Sequence, residues 1–179
     1  MKKKLFALIS FSFIFSTVSV HPEEKAFFNR FFVDKTLRVD YYHTGTKGQE
    51  TISLDKIYEE GKWPGSQINL VDTLNLGDYL VKVFDVTTNL LIYSRGYSTM
   101  FNEWQTTDEA NAGIFRTFSE TVRLPLPRQK VQLTISRRDR QMIFHEIFSA
   151  VIDPNSPAAV NREAHAPGVK VVPIFTNGP

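Results

Sequence analysis

The chain has 179 residues, 21 Lys and Arg against 19 Asp and Glu, no cysteine, 42% hydrophobic residues and 15 Phe. This composition excludes collagen-like, low-complexity, disulfide-stapled and intrinsically disordered chains. A single domain of this size buries roughly 70% of its unfolded surface, enough for a core without metal or disulfide help.

Reading from the N-terminus, Lys2, Lys3 and Lys4 precede an apolar stretch from Leu5 to Phe15, with small residues at Thr17 and Ser19. This is the layout of a secretory signal peptide cleaved after Ser19. The alternative is an uncleaved anchor, but the stretch is shorter than the roughly 20 residues a membrane span needs. Without the three lysines, 18 basic residues face 19 acidic ones. That balance gives no reason to expect a nucleic acid or an anionic membrane as partner, since both call for clustered Lys and Arg. An exported chain without cysteine stands on packing alone.

Past the leader the pattern is mostly period two. Leu37, Val39 and Tyr41 alternate with Arg38, Asp40 and Tyr42, as a half-buried strand requires. Ser53 to Glu60 reads as one or two helical turns, with Ser53 as N-cap and Leu54, Ile57 and Tyr58 on one face. Tyr79 to Val86 and Leu90 to Tyr97 form a hairpin around Thr87, Thr88 and Asn89. Gly113 to Leu124 is a strand that Pro125 and Pro127 close. Val131, Leu133 and Ile135 alternate with polar residues in the next strand. Met142 to Ile152, apolar on both faces, suits a strand covered on both sides. Asp153, Pro154 and Asn155 then turn.

Six or seven strands with short turns, one short helical segment and no βαβ alternation predict an all-β fold, an antiparallel β-sandwich of immunoglobulin-like type. A closed barrel is the alternative. The predicted division is a leader over 1–19, the sandwich over 20–153 and an extended C-terminal segment over 154–179.

Catalytic patterns are scarce. His145 and Glu146 open an apparent H-E-x-x-H, but Ser149 occupies the second histidine position and the context is a strand, so the paired imidazoles that would hold zinc are missing. His21, His43, His145 and His165 are widely spaced, and no nucleophile elbow, P-loop or dinucleotide fingerprint occurs. Arg137, Arg138 and Arg140 around Asp139 read as a solvated hairpin turn. In F-N-E-W-Q-T-T-D-E-A, Glu103, Asp108 and Glu109 flank Trp104 on what reads as a solvated loop, which could bind calcium or supply an acid/base pair. Trp63 and Trp104, if exposed together, would make a stacking platform for a glycan or a protein. The candidate interdomain or ligand surface is therefore Trp63, Trp104, Glu103 and Asp108, with no catalytic, cofactor or metal residue assigned.

Several segments taken together resemble one family. The runs L-R-V-D-Y-Y-H-T-G from Leu37, S-L-D-K-I-Y-E-E-G-K-W-P-G-S from Ser53 and N-L-V-D-T-L-N-L-G-D-Y-L-V-K-V-F-D from Asn69 belong to this set. So do L-I-Y-S-R-G from Leu91, E-W-Q-T-T-D-E-A from Glu103, F-S-E-T-V-R-L-P-L-P from Phe118, I-S-R-R-D from Ile135, I-D-P-N-S from Ile152 and V-N-R-E from Val160. They resemble the N-terminal domain of the bacterial IgA peptidases, metallopeptidase family 64. The resemblance implies a non-catalytic immunoglobulin-like accessory domain that precedes a zinc peptidase domain. The zinc, the only cofactor implied, belongs to that second domain, and the closing residues Val171 to Pro179 resemble the approach to it. The expected partner is the peptidase domain, in cis or in trans, and the expected setting is exported: periplasmic, cell-surface or secreted. The sandwich would dock on the peptidase domain and help position substrate. The alternative is a stand-alone binding module for a glycan or protein ligand.

Overall fold

The computed structural model describes residues 21–162. The leader, His165 and the end of the C-terminal segment lie outside the described residues. The elements run α1 (His21–Phe31), β1 (Phe32–Thr46), β2 (Gln49–Glu60), β3 (Tyr79–Asp85), β4 (Leu91–Tyr97), α2 (Met100–Trp104), α3 (Asp108–Asn111), β5 (Arg116–Pro127), β6 (Val131–Arg138), β7 (Phe144–Ile152) and β8 (Asn161–Arg162). They build an all-β sandwich of two four-stranded sheets, ordered β5-β1-β2-β8 and β4-β3-β6-β7. Every strand pair is antiparallel except the two-residue β2–β8 pair.

Period-two patterning places the core. Leu37, Val39 and Tyr41 of β1 face Val122 and Leu124 of β5 along one sheet, while Val81 and Val83 of β3 and Leu133 and Ile135 of β6 line the other. Each fully buried aliphatic or aromatic side chain stabilises the fold by roughly 1.5–3 kcal/mol. The long α1 helix adds Phe28 and Phe31 to this cluster. Its ends suit the helix dipole, with Glu23 and Glu24 in the first turn and Arg30 in the last. A separate small cluster of Phe101, Trp104 and Ala110, with Phe118 packed on it, lies under α2 and α3.

The predicted strands at Leu37, Tyr79, Leu90 and Val131 and the turn at Thr87–Asn89 are present. Asn89 takes a positive φ of 54°, and Asp85 closes that turn by accepting from the Thr88 N–H at 2.8 Å and its hydroxyl at 2.7 Å. The Asx turn at Asp153 is also present, with the Asn155 N–H donating to Oδ1 at 3.0 Å.

Four expectations are corrected. Ser53–Glu60 is strand β2, not helix. A bulge at Asp55, where Asp40 pairs with Lys56 and Tyr41 with Leu54, shifts the inward phase by one residue. Ile52 and Ile57 are therefore both buried at an odd spacing that imitates a helical face. β5 does not stop at Leu124: it runs through Pro125 to its last residue, Pro127, and the two prolines stay in the ladder, paired with Thr36 and Phe32. Residues two apart point their N–H groups to the same edge, so both missing donors fall on the free outer edge of this terminal strand. β7 is not covered on both sides: it is an edge strand with Val151 exposed, and Met142 and Ile143 precede it in an exposed turn. The segment around Trp104 is not an open loop but two short helices, capped by Thr99 and Thr107, so with α1 there are three helices among the described residues where one helical segment was expected.

Candidate functional site

The inward stripes of five strands end at the same end of the sandwich, and each ends in a polar residue. His43 follows Tyr41 on β1, Glu50 precedes Ile52 on β2, Tyr79 precedes Val81 on β3, Glu120 precedes Val122 on β5 and Arg137 follows Ile135 on β6. These five side chains converge. His43 is fully buried, with Nε2 2.7 Å from Glu50 Oε2 and Nδ1 3.0 Å from Glu120 Oε2. Arg137 donates to Glu50 Oε1, and the Tyr79 hydroxyl donates to Glu50 Oε2 at 2.8 Å. The Phe101 N–H donates to Glu120 Oε1 at 3.2 Å, and the Tyr41 and Tyr97 hydroxyls lie 3.2 Å apart beside the group. The Phe101 ring stacks on His43 with centroids 3.9 Å apart, and Tyr79 meets it edge-on.

An imidazole that faces a carboxylate oxygen from each nitrogen carries a proton on both. Burial pushes His43 toward neutrality, but the hydrogen bonds and charges of Glu120 and Glu50 outweigh it and raise its pKa above the ordinary 6.5. Burial also works against the two carboxylates. For Glu50 it is overcome by the bonds from His43, Arg137 and Tyr79, and for Glu120 by those of His43, the Phe101 N–H and Tyr41, so both pKa values fall below 4.5. Two anions and two cations therefore make a neutral buried set. Burial first, then the neighbouring hydroxyls and carboxylates, pushes Tyr41 and Tyr79 well above the usual phenol range.

Arg137, 30% exposed, connects this set to the surface. There a cleft of about 690 Å³ opens between the β1–β2 turn, α2 and the β6–β7 turn, with Lys47, Asp78, Arg137, Arg138, Arg140 and His145 on its walls. Gln105 at the end of α2 ties the wall together by donating to the Thr46 carbonyl at 2.8 Å, and Asn102 donates to Asp78 at 2.9 Å. Asp139 shapes the β6–β7 turn by accepting from the Gln141 and Ile143 N–H groups at 2.9 Å and lies 2.7 Å from His145 Nε2.

The four sequence-predicted surface residues are not brought together. Trp104 is 7% exposed inside the small cluster, its Nε1 buried without a partner. Trp63 is half-buried and packs on the main core against Tyr93, with its Nε1 donating to the Ser66 carbonyl at 3.0 Å. Glu103 and Asp108 are exposed on α2 and α3. The arginine turn, read as fully solvated, is solvated at Arg140 but holds Arg137 in the buried set. The roles of His43, Glu50 and Glu120 are not among the sequence expectations, although each sits at the inward phase of its strand, where an apolar residue is the default.

The family model of the peptidase M64 N-terminus matches residues 27–149, from within α1 to within β7. The chain belongs to this family, the N-terminal region of IgA-type peptidases. No curated protein matches the chain significantly.

In a peptidase M64 N-terminal domain, the polar groups that could do chemistry or hold a metal ion are those of the buried set and the cleft. Among the described residues no group of three or more His, Asp or Glu side chains is placed to hold a metal ion. The nearest approach, His43 between Glu50 and Glu120, does not fit one: protons occupy both imidazole nitrogens, so neither lone pair is free. The same burial keeps His43 from reaching a substrate proton. No helix among the described residues is long and apolar enough to cross a membrane.

Proposed function

We propose that this domain is a non-catalytic accessory module that braces a zinc peptidase domain, in cis or in trans, and helps to position its substrate. The observation that carries the reading is the match to the peptidase M64 N-terminus across nearly all of the sandwich. The buried charge set supports it, because its titratable groups are spent on holding five strands together rather than offered to a substrate. Zinc then belongs to the peptidase domain. Glu103 and Asp108, displayed by α2 and α3 above the Trp104 cluster, are surface groups through which the contact is made, and Trp104 acts from beneath by fixing both helices. The module works outside the cytoplasm, in the periplasm, at the cell surface or secreted, as the basic and apolar leader supports.

The test mixes this domain with a family 64 peptidase domain expressed separately. The expected result is co-elution, a raised melting temperature of the peptidase domain and faster peptide cleavage, with no cleavage by the sandwich alone in zinc. Unchanged stability, elution and cleavage on mixing would remove the proposal. Mass spectrometry of the exported protein checks the leader, the expected N-terminus being Val20.

A further inference from the structure

We propose that the cleft between the β1–β2 turn, α2 and the β6–β7 turn binds an extended acidic peptide, whose carboxylates meet Arg138 and Arg140 while its backbone pairs with the free edge of β7. This goes beyond the bracing role and does not depend on it.

The first observation is a pair of guanidinium groups without anions. Arg137 is committed to Glu50 and Lys47 to the neutral Asn111 Oδ1, at 2.5 Å. Arg138 has no carboxylate partner among the described residues. Its guanidinium lies over the Phe144 ring at 4.6 Å and its Nη1 approaches the Met142 sulfur at 3.9 Å. Its Nε is buried with no acceptor. A cation already held over an aromatic face, with no carboxylate partner among the described residues, is organised for an anion at little further entropic cost. Arg140, exposed on the next turn, is likewise without an anion among the described residues. The acids on the cleft walls have their oxygens hydrogen-bonded within the fold and not held by Arg138 or Arg140: Asp78 by Asn102 and Ser98, Asp139 by His145 and the turn N–H groups. Arginine forks match carboxylates geometrically.

The second observation selects a peptide among anions. His145 and Ile147 of β7 line the same cleft, and β7 is the last strand of its sheet among the described residues. Its sequence, Phe144 to Ile152, contains neither Lys nor Pro, two residues that usually guard an edge, and one acid, Glu146, which is not on the cleft wall. An open edge recognises extended backbone by strand addition. A glycan would need an aromatic stacking face, and the cleft walls carry no Trp, Tyr or Phe. The chain's own residues 163–179 hold a single acid, Glu163, and match the basic walls poorly.

The experiment uses the mature full chain and a fluorescein-labelled Glu-Val alternating peptide, followed by anisotropy. Binding is expected to weaken as salt rises from about 50 to about 300 mM. Arg140→Glu is expected to weaken it about tenfold, and Arg138→Glu with Arg140→Glu further. A Lys-Val peptide is expected not to bind. If Arg138→Glu disturbs folding, Arg140→Glu alone decides, since that side chain holds nothing in place. An N-methylated Glu-Val peptide keeps the carboxylates but cannot pair with a strand, and equal binding by it would overturn the peptide assignment. So would displacement of the peptide by inorganic phosphate at equal concentration, or unchanged affinity of Arg140→Glu.

Discussion

Replacing His43 with leucine removes the cation that sits between two buried carboxylates while keeping an apolar side chain of comparable size under Phe101. Glu50 keeps Arg137 and Tyr79, so the charge left stranded is Glu120, whose side chain is 8% exposed and retains the Phe101 N–H and its Tyr41 bond. Breaking a buried pair from one side costs about 3–5 kcal/mol, because the partner's charge stays buried without compensation. For a domain of this size that is a fall of about 10–20 °C in melting temperature. Urea unfolding near pH 6, read by tryptophan emission, measures it, and Trp63 and Trp104 report separately on the two apolar clusters. Adding Glu120→Gln to the variant removes the stranded charge and should recover about 1–2 kcal/mol. A loss below about 1 kcal/mol, or no recovery in the double variant, would refute the view that a charged His43 holds this end of the sandwich.

The pH profile follows from the same groups. His43 is raised above 6.5, so its contribution is complete below that value and is lost as pH climbs through the folded-state pKa. Glu50 and Glu120 are lowered from 4.5, so theirs is complete above 4.5 and is lost as pH falls through the folded-state values. The gap in stability between the native protein and His43→Leu is therefore expected to be widest between pH 4.5 and 6.5 and to shrink on both sides, as urea midpoints across a pH series will show. Gly96→Ala places a Cβ 1.8 Å from the Leu76 carbonyl oxygen and should cost about 1–3 kcal/mol in urea unfolding. Asp72→Ala removes the acceptor of the Leu74, Asn75 and Gly96 N–H groups and should cost about 1–3 kcal/mol, with faster proteolysis within residues 71–77. Trp104→Phe gives up no hydrogen bond, since Nε1 has none, and should cost less than about 2 kcal/mol, whereas Trp104→Ala should cost about 3–5 kcal/mol by opening a cavity.

Where side chains alternate without interruption, as in Leu37–Tyr42 and Val131–Ser136, the strand and its inward face could be read directly. Ser53–Glu60 misled because the bulge at Asp55 breaks the alternation and leaves Leu54 and Ile57 at a helix-like spacing. Bulges depend on how a strand meets its neighbour, which one strand's pattern does not carry. The two helices of five and four residues around Trp104 were too short for periodicity to show; their trace was in the caps, Thr99 and Thr107. The charge set was half legible. Extending the alternation of Leu37, Val39 and Tyr41 by two residues lands on His43, and a histidine at an inward position needs partners. Which partners it finds is set by strand order: Glu120 lies 77 residues away and reaches it because β5 flanks β1.

Those sequence separations also bear on time. Glu50 and Arg137 are 87 residues apart, one on β2 and the other on β6, so they meet only once the two sheets have closed on each other. Contacts closed over such long loops form late. Interactions absent from the transition state act on the unfolding rate and leave the folding rate nearly untouched. In a chevron experiment the folding arm of His43→Leu should overlay that of the native protein while its unfolding arm rises. For a protein without disulfides, the linked side chains then set how long a folded molecule lasts wherever proteases act on opened chains.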